Sequence, residues 1–145
     1  MTRNTLEYLT ANDWVLILSR ARRRKFSPGE QIIEDGVPSP AVYIIRKGTA
    51  AVQVANLDGR AEVALLGPGE ICGDMSFLLK SNASATVVAK DAVEAEEVDT
   101  EELDRLFESF PGIGSRFYHS LAIVLSRRLQ ETSSVVAELK NQTKP

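Results

Sequence analysis

The chain has 145 residues, 17 Lys and Arg against 20 Asp and Glu, a net charge of −3 and an isoelectric point near 5.3. That length suits one domain able to bury a core without covalent staples, and the acidic balance excludes a module that holds nucleic acid through bulk positive charge. A single cysteine, Cys72, permits no internal disulfide, and a single histidine, His119, is too few for a histidine metal cluster or for a Ser-His-Asp or Cys-His catalytic set.

Cys72 reads as a small core residue of a reducing compartment, the cytoplasm, rather than as a redox centre. The amino terminus lacks the apolar core of a signal peptide, and no apolar run reaches the ~18 residues of a membrane span, so neither is expected.

Residues 11–21, ANDWVLILSRA, predict a short apolar helix carrying Trp14, Leu16, Ile17, Leu18 and Ala21, with Asn12 or Asp13 capping its start. Arg20, Arg22, Arg23, Arg24 and Lys25 follow as a basic run. It reads as a solvated edge between helix and strand, with contact to an anionic partner as the alternative.

From Lys25 to Val98 the character changes. Short segments rich in Val, Ile and Ala are separated by SPGE, EDGVPSP, RKG, LDGR and LGPGE, the punctuation of an antiparallel sandwich or barrel. AVYIIR, TAAVQVA, EVALL, ATVVA and AVEAEEV are each long enough for one strand. The paired acids Glu96-Glu97 and Glu101-Glu102 read as solvated edges and helix starts, not as an acid–base couple.

Beyond Val98, Thr100 is placed to cap a helix bearing Leu103, Leu106, Phe107 and Phe110 that stops at Pro111-Gly112. A longer helix is predicted over about residues 113–139. On it Tyr118, Ala122, Leu125, Leu129, Thr132, Val136 and Leu139 recur at steps of four and three. This heptad stripe predicts a homodimer seam over residues 118–139, the alternative being a helix packed on its own barrel. The closing NQTKP reads as frayed. With nothing predicted after the long helix, an effector would come from another chain.

The densest chemistry lies in residues 67–88. Gly73 is followed by Asp74, Met75, Ser76 and Phe77, which open a short helix whose first N–H groups have no partner within it. Such groups attract anions. Residues 85–89 return as a strand, and Asn82, Ala83 and Ser84 just before it would face the helix start, where no arginine stands.

Taken together, FSPGEQIIEDG at 26–36, VYIIRKGTAAV at 42–52, LLGPGEICGDMSFL at 65–78 and ASATVVA at 83–89 resemble, in this order, the cyclic-nucleotide-binding domains of bacterial regulators, kinase regulatory subunits and gated channels. The resemblance spans almost the whole chain. It implies a mainly β fold, an eight-stranded β-roll of the jelly-roll-like double-stranded β-helix type with flanking helices. Its parts would be an N-terminal helical part at 1–22, the roll at 23–99 and C-terminal helices at 100–140. A cupin-type metal enzyme shares the roll but needs clustered histidines.

SRRLQETS at 126–133 further resembles the long helix of the catabolite activator protein subfamily. The resemblance implies that Thr132 bonds the base of cyclic AMP in its own subunit and that Ser133 reaches the ligand of a second copy, while Thr132 as a tolerated seam residue and Ser133 as a surface one is the alternative. It also implies a ligand, cyclic AMP or cyclic GMP, held by Ile71, Cys72, Gly73, Asp74, Met75 and Ser76 on one side and by Ala83, Ser84 and Ala85 on the other. Gly73 would allow the backbone to approach the ligand, and Asp74 would accept the ribose 2′-hydroxyl where the family usually has Glu; a first-turn acid favoured by the helix dipole is the plainer role.

Ala83 departs from the pattern, for nucleotide-binding members carry arginine there. One or two lost charge-assisted bonds, each worth about 1.5–3 kcal/mol, weaken binding about tenfold to several hundredfold. Lys80 is the nearest cation in sequence and is expected to be solvated. The function expected is thus a cyclic-nucleotide sensor, in which ligand closes the terminal helices over the roll and changes the surface offered to an effector protein. The alternative is a degenerate member that dimerises or takes another ligand. Neither direct nucleic-acid contact nor membrane contact is expected, and no catalysis.

Overall fold

The computed structural model describes residues 5–142. One short helix, α1 (Ala11–Leu18), precedes the strands β1 (Arg22–Phe26), β2 (Gln31–Ile33), β3 (Ala41–Lys47), β4 (Ala50–Asn56), β5 (Gly59–Leu66) and β6 (Ile71–Cys72). After β6 come α2 (Asp74–Leu79), β7 (Thr86–Ala89), β8 (Val93–Asp99), α3 (Thr100–Ser109) and α4 (Pro111–Gln142). Two four-stranded antiparallel sheets, ordered β1-β8-β3-β6 and β2-β7-β4-β5, form the expected β-roll with helices at both ends.

β3 explains the layering. Its residues Ala41 to Ile45 are all buried, and the period of two splits them between two cores. Ala41, Tyr43 and Ile45 join Phe26, Leu66, Cys72, Val87, Val93 and Ala95 between the sheets. Val42 and Ile44, with Ile71 and Val98, face outward onto Ile17, Leu103, Leu106, Phe117 and Leu121 of the helices.

Several local expectations change. The cap of α1 is Thr10, not Asn12 or Asp13: the Asp13 amide donates to Thr10 Oγ1 at 3.1 Å and the Thr10 amide to Asp13 Oδ2 at 3.0 Å, a capping box. Asp99 holds the cap position of α3 without a side-chain cap bond, and Thr100 is the first helical residue. Pro111 opens α4 two residues before the expected start, because proline lacks only an N–H that a first turn leaves unpaired. Asn141 and Gln142 belong to α4, and the rest of the tail expected to fray lies outside the described residues.

The basic run is an exposed edge, as expected, but a paired one. It forms β1, in register with β8 so that Arg22 faces Glu97 and Arg23 faces Glu96. Arg24 bonds Glu97 at 2.7 Å and Arg23 bonds Glu96 at 2.8 Å, while Arg22 adds a second guanidinium to Glu97. Glu96 and Glu97, read as solvated, are buried. Burial pushes the Glu97 carboxyl upward, but bonds from Arg22 and the Tyr43 hydroxyl outweigh it and leave the group below its ordinary value. Cross-strand pairing of opposite charge therefore builds this strand where apolar alternation is absent.

Residue Asp13 also joins α1 to α4. Arg116 donates to its two carboxylate oxygens at 2.6 and 2.8 Å, and those bonds hold the Asp13 carboxyl well below its ordinary value of 3.8 against the opposing effect of burial. A group depressed on folding stabilises the native state above its unfolded pKa and ceases to do so as the pH falls toward the folded one. Asp13→Asn is therefore expected to melt several degrees below the wild type at pH 7, with the gap shrinking as the pH falls below the ordinary value of 3.8. A gap independent of pH, read by circular dichroism, contradicts this account.

Phe77 ties α2 to the other helices. Its ring lies 6.5 Å from Phe107, 6.0 Å from Phe117 and 6.2 Å from Tyr118, and the side chain is almost wholly buried. Phe77→Ala should cost about 3–5 kcal/mol in urea unfolding, and a loss under 1 kcal/mol would show that α2 is not pinned through this ring.

Candidate functional site

Pairing of β6 with β3, Cys72 opposite Tyr43 and Ile71 opposite Ile44, delivers Gly73 beside the start of β3. Gly73 has φ +84°, and a Cβ there would lie 2.7 Å from the Ala41 carbonyl oxygen and 3.3 Å from Val42 Cα. Both the left-handed backbone and the contact require glycine. A close approach that requires glycine is thus made to β3. As N-cap of α2, Gly73 offers no side chain to the amides that follow.

Asp74, the first residue of α2, is only 3% exposed. Arg128 of α4 reaches it: Nη1 donates to Asp74 Oδ2 at 3.2 Å and Nη2 to the Ile71 carbonyl at 3.0 Å. Burial raises the Asp74 carboxyl above its ordinary value, opposed by Arg128 and by the residue's own amide. Cys72, behind it in the inter-sheet core, has its thiol pushed up to about 12 by burial and then by the Asp74 charge. A protonated, enclosed thiol is not a redox nucleophile.

The facing rim comes from the turn before β7. Ala83 is buried in the inter-sheet core, its amide donating to the Val37 carbonyl at 3.1 Å and its carbonyl accepting from the Gly36 amide at 2.9 Å. Ser84 is exposed and Ala85 half-buried. On α2, Ser76 is buried and Met75 exposed. Lys80 pairs with Asp104 of α3 at 3.2 Å and lies over the Phe77 ring.

Thr132 and Ser133 are exposed on α4, and the Thr132 hydroxyl donates to the Arg128 carbonyl at 3.0 Å. The structure therefore joins Ile71, Asp74 and α4 through Arg128, and leaves Ser84, Thr132 and Ser133 exposed. Arg128 escaped the sequence reading. The signal was its position one helical turn before Thr132, on the same face of the helix.

α4 carries two stripes. Ile113, Phe117, Leu121 and Val124 enter the helix core, while Tyr118, Leu129, Val136 and Leu139 of the predicted seam stay exposed, Leu129 at 67%. His119 stacks on Tyr8, holding the segment before α1 against α4. Among the described residues no helix is long and apolar enough to cross a membrane, and no group of three or more metal-ligating side chains occurs.

Known proteins share this arrangement. The sequence model of the cyclic nucleotide-binding domain matches residues 23–110. The cyclic AMP receptor protein of Thermus thermophilus is 34% identical over 117 residues, which cover 80% of this chain and 52% of that protein. The crystal structure of the Thermus thermophilus catabolite activator protein superposes with TM-score 0.79 at 30% identity, over 95% of this chain and 63% of that one. A cyclic nucleotide-binding domain from Methylobacillus flagellatus shares the fold, with TM-score 0.84 at 20% identity over 93% of this chain and 82% of that one. The chain thus spans about half the length of its Thermus relative. With the eight-stranded roll, the glycine-bounded cradle and the terminal helices all in place, and the family's sequence pattern running through them, this chain belongs to the cyclic nucleotide-binding domain family.

Proposed function

We propose that the domain senses a cyclic purine mononucleotide, cyclic AMP in preference to cyclic GMP, and transmits its binding through α4. The observation that carries this reading is the Arg128 contact to Asp74 and Ile71, which brings α4 onto the cradle. Thr132 follows Arg128 by four residues, about 6 Å along the helix, a spacing that suits a ribose at Asp74 and a base at Thr132.

The choice of base follows from hydrogen bonding. Because the Thr132 hydroxyl proton is engaged by the Arg128 carbonyl, its lone pairs are what it offers a ligand. Adenine presents an amino donor at the position where guanine presents a carbonyl acceptor. Ser133 would serve the ligand of a second copy, and Ser84 with the amides after Gly73 the phosphate.

Two copies would pair through the exposed stripe of α4. Its large apolar side chains, Leu129, Val136 and Leu139, have no cover within the chain, and their heptad spacing fits a parallel neighbour. Such a pair lets the ligand act as a two-state effector, limited by its difference in affinity for the two arrangements. Cytoplasmic residence agrees with the buried, reduced Cys72.

Titration calorimetry tests the ligand. Cyclic AMP is expected to bind with a Kd of roughly 10 μM to 1 mM, in keeping with the absent arginine. Thr132→Val should weaken cyclic AMP about 5- to 10-fold and leave cyclic GMP nearly unchanged. Absence of heat and of any thermal shift with both nucleotides at millimolar concentration defeats the reading. Sedimentation should show twice the 15.9 kDa chain mass, and Leu129→Glu with Val136→Glu should return the monomer; a wild-type monomer at high concentration, with and without nucleotide, excludes the seam.

A further inference from the structure

A cyclic phosphate carries one full negative charge, and the cradle needs a cation to match it. Position 83 supplies none, and the alanine's backbone is already closed on Gly36 and Val37. Lys80 pairs at the surface with Asp104 of α3 and lies over the Phe77 ring, and no bond joins it to Ile71 or Asp74 among the described contacts. The guanidinium that lies at the cradle belongs to Arg128, which straddles Gly73 by donating to the residues two before and one after it in the chain, Ile71 and Asp74.

Its present bonds leave it free to do more. The Asp74 contact at 3.2 Å is longer than the roughly 2.7–2.9 Å of a strong charge-assisted bond. Two of the five N–H donors of a guanidinium are used here, and the planar fork suits two oxygens of one phosphate. The side chain is 27% exposed, so an anion can approach it from solvent. From Leu129 onward the described side chains of α4 are exposed, which leaves the distal helix without packing that would oppose a shift of Arg128 toward a ligand.

We propose that Arg128 is the phosphate-binding cation of this domain, standing in from α4 for the arginine that position 83 lacks. The proposal rests on the cyclic-nucleotide reading given above. It has a mechanical consequence: with the counter-charge on α4 rather than on the rim of the roll, the ligand's anion pulls directly on the helix that carries Thr132 and the seam. Asp74, relieved of part of its bond to Arg128, is then available to the ribose hydroxyl. The competing role for Arg128 is that of a plug, which blocks Asp74 until it is displaced. The two roles give opposite signs on removal of the guanidinium.

The experiment is calorimetric titration of the full chain with cyclic AMP, comparing wild type, Arg128→Gln, Arg128→Lys, Ala83→Arg and the double variant Arg128→Gln with Ala83→Arg. Each is first checked for a cooperative thermal transition. Glutamine keeps a donor for the Ile71 carbonyl, and lysine keeps the charge, so the two variants separate loss of charge from loss of that bond. Arg128→Gln is expected to weaken binding about 10- to 100-fold, Arg128→Lys to weaken it less, and Ala83→Arg in the Arg128→Gln background to restore it.

Equal or tighter binding by Arg128→Gln overturns the proposal and favours the plug. A silent wild type beside a binding Ala83→Arg variant shows a competent cradle in which Arg128 does not serve, and overturns this inference alone. Silence of both with cyclic AMP and with cyclic GMP removes the nucleotide reading itself, and the inference with it.

Discussion

The cradle depends on one close contact, the backbone of Gly73 against the first residues of β3. Because β3 is buried on both faces, it cannot yield to a side chain at position 73, and the space left there is that of a hydrogen atom. The register of β6 on β3 then fixes where the chain turns, and with it the direction of α2 and the place of Asp74. Phe77, three residues on, enters the core shared by α3 and α4. The cradle and the terminal helices are therefore joined through packed rings.

α4 is held by two arginines of unequal grip. Arg116 makes two short bonds to Asp13, a carboxylate buried and further fixed by the capping box of α1. Arg128, twelve residues or about 18 Å further along the helix, makes longer bonds to Asp74 and the Ile71 carbonyl. Between them the helix is anchored by Phe117, Leu121 and Val124. The proximal half is thus fixed to the roll, and the distal half touches it where the ligand would sit. That difference separates a packed proximal half of α4 from an exposed distal half along one unbroken helix.

Charge has a different task in the sheet. Arg22 and Arg23 of β1 stand opposite Glu97 and Glu96 of β8, Arg24 stands opposite Ala95, and Glu97 accepts from Arg22, Arg24 and Tyr43. A buried acid so surrounded is stable because its partners satisfy it, and removing one partner costs more than the pair contributes. The arginines of the basic run are thus engaged by the fold while their side chains stay largely exposed.

Much of the roll was legible along the chain, since apolar runs of strand length between Gly- and Pro-bearing turns specify β3, β4, β5, β7 and β8 through local physics alone. The heptad stripe and the core stripe of α4 are likewise local, for side chains four and three apart share a helix face. β1 was hidden because its stabilising partners lie more than seventy residues away, and the cap of α1 because Thr10, Asn12 and Asp13 are chemically equivalent until the chain bends. At the site, Gly73, Asp74 and the absence of arginine at position 83 are properties of the sequence itself. Only the tertiary structure decided which cation meets that cradle, because a side chain on a helix 54 residues from Asp74 finds it through the packing of α4 on the roll, and no spacing along the chain encodes that distance.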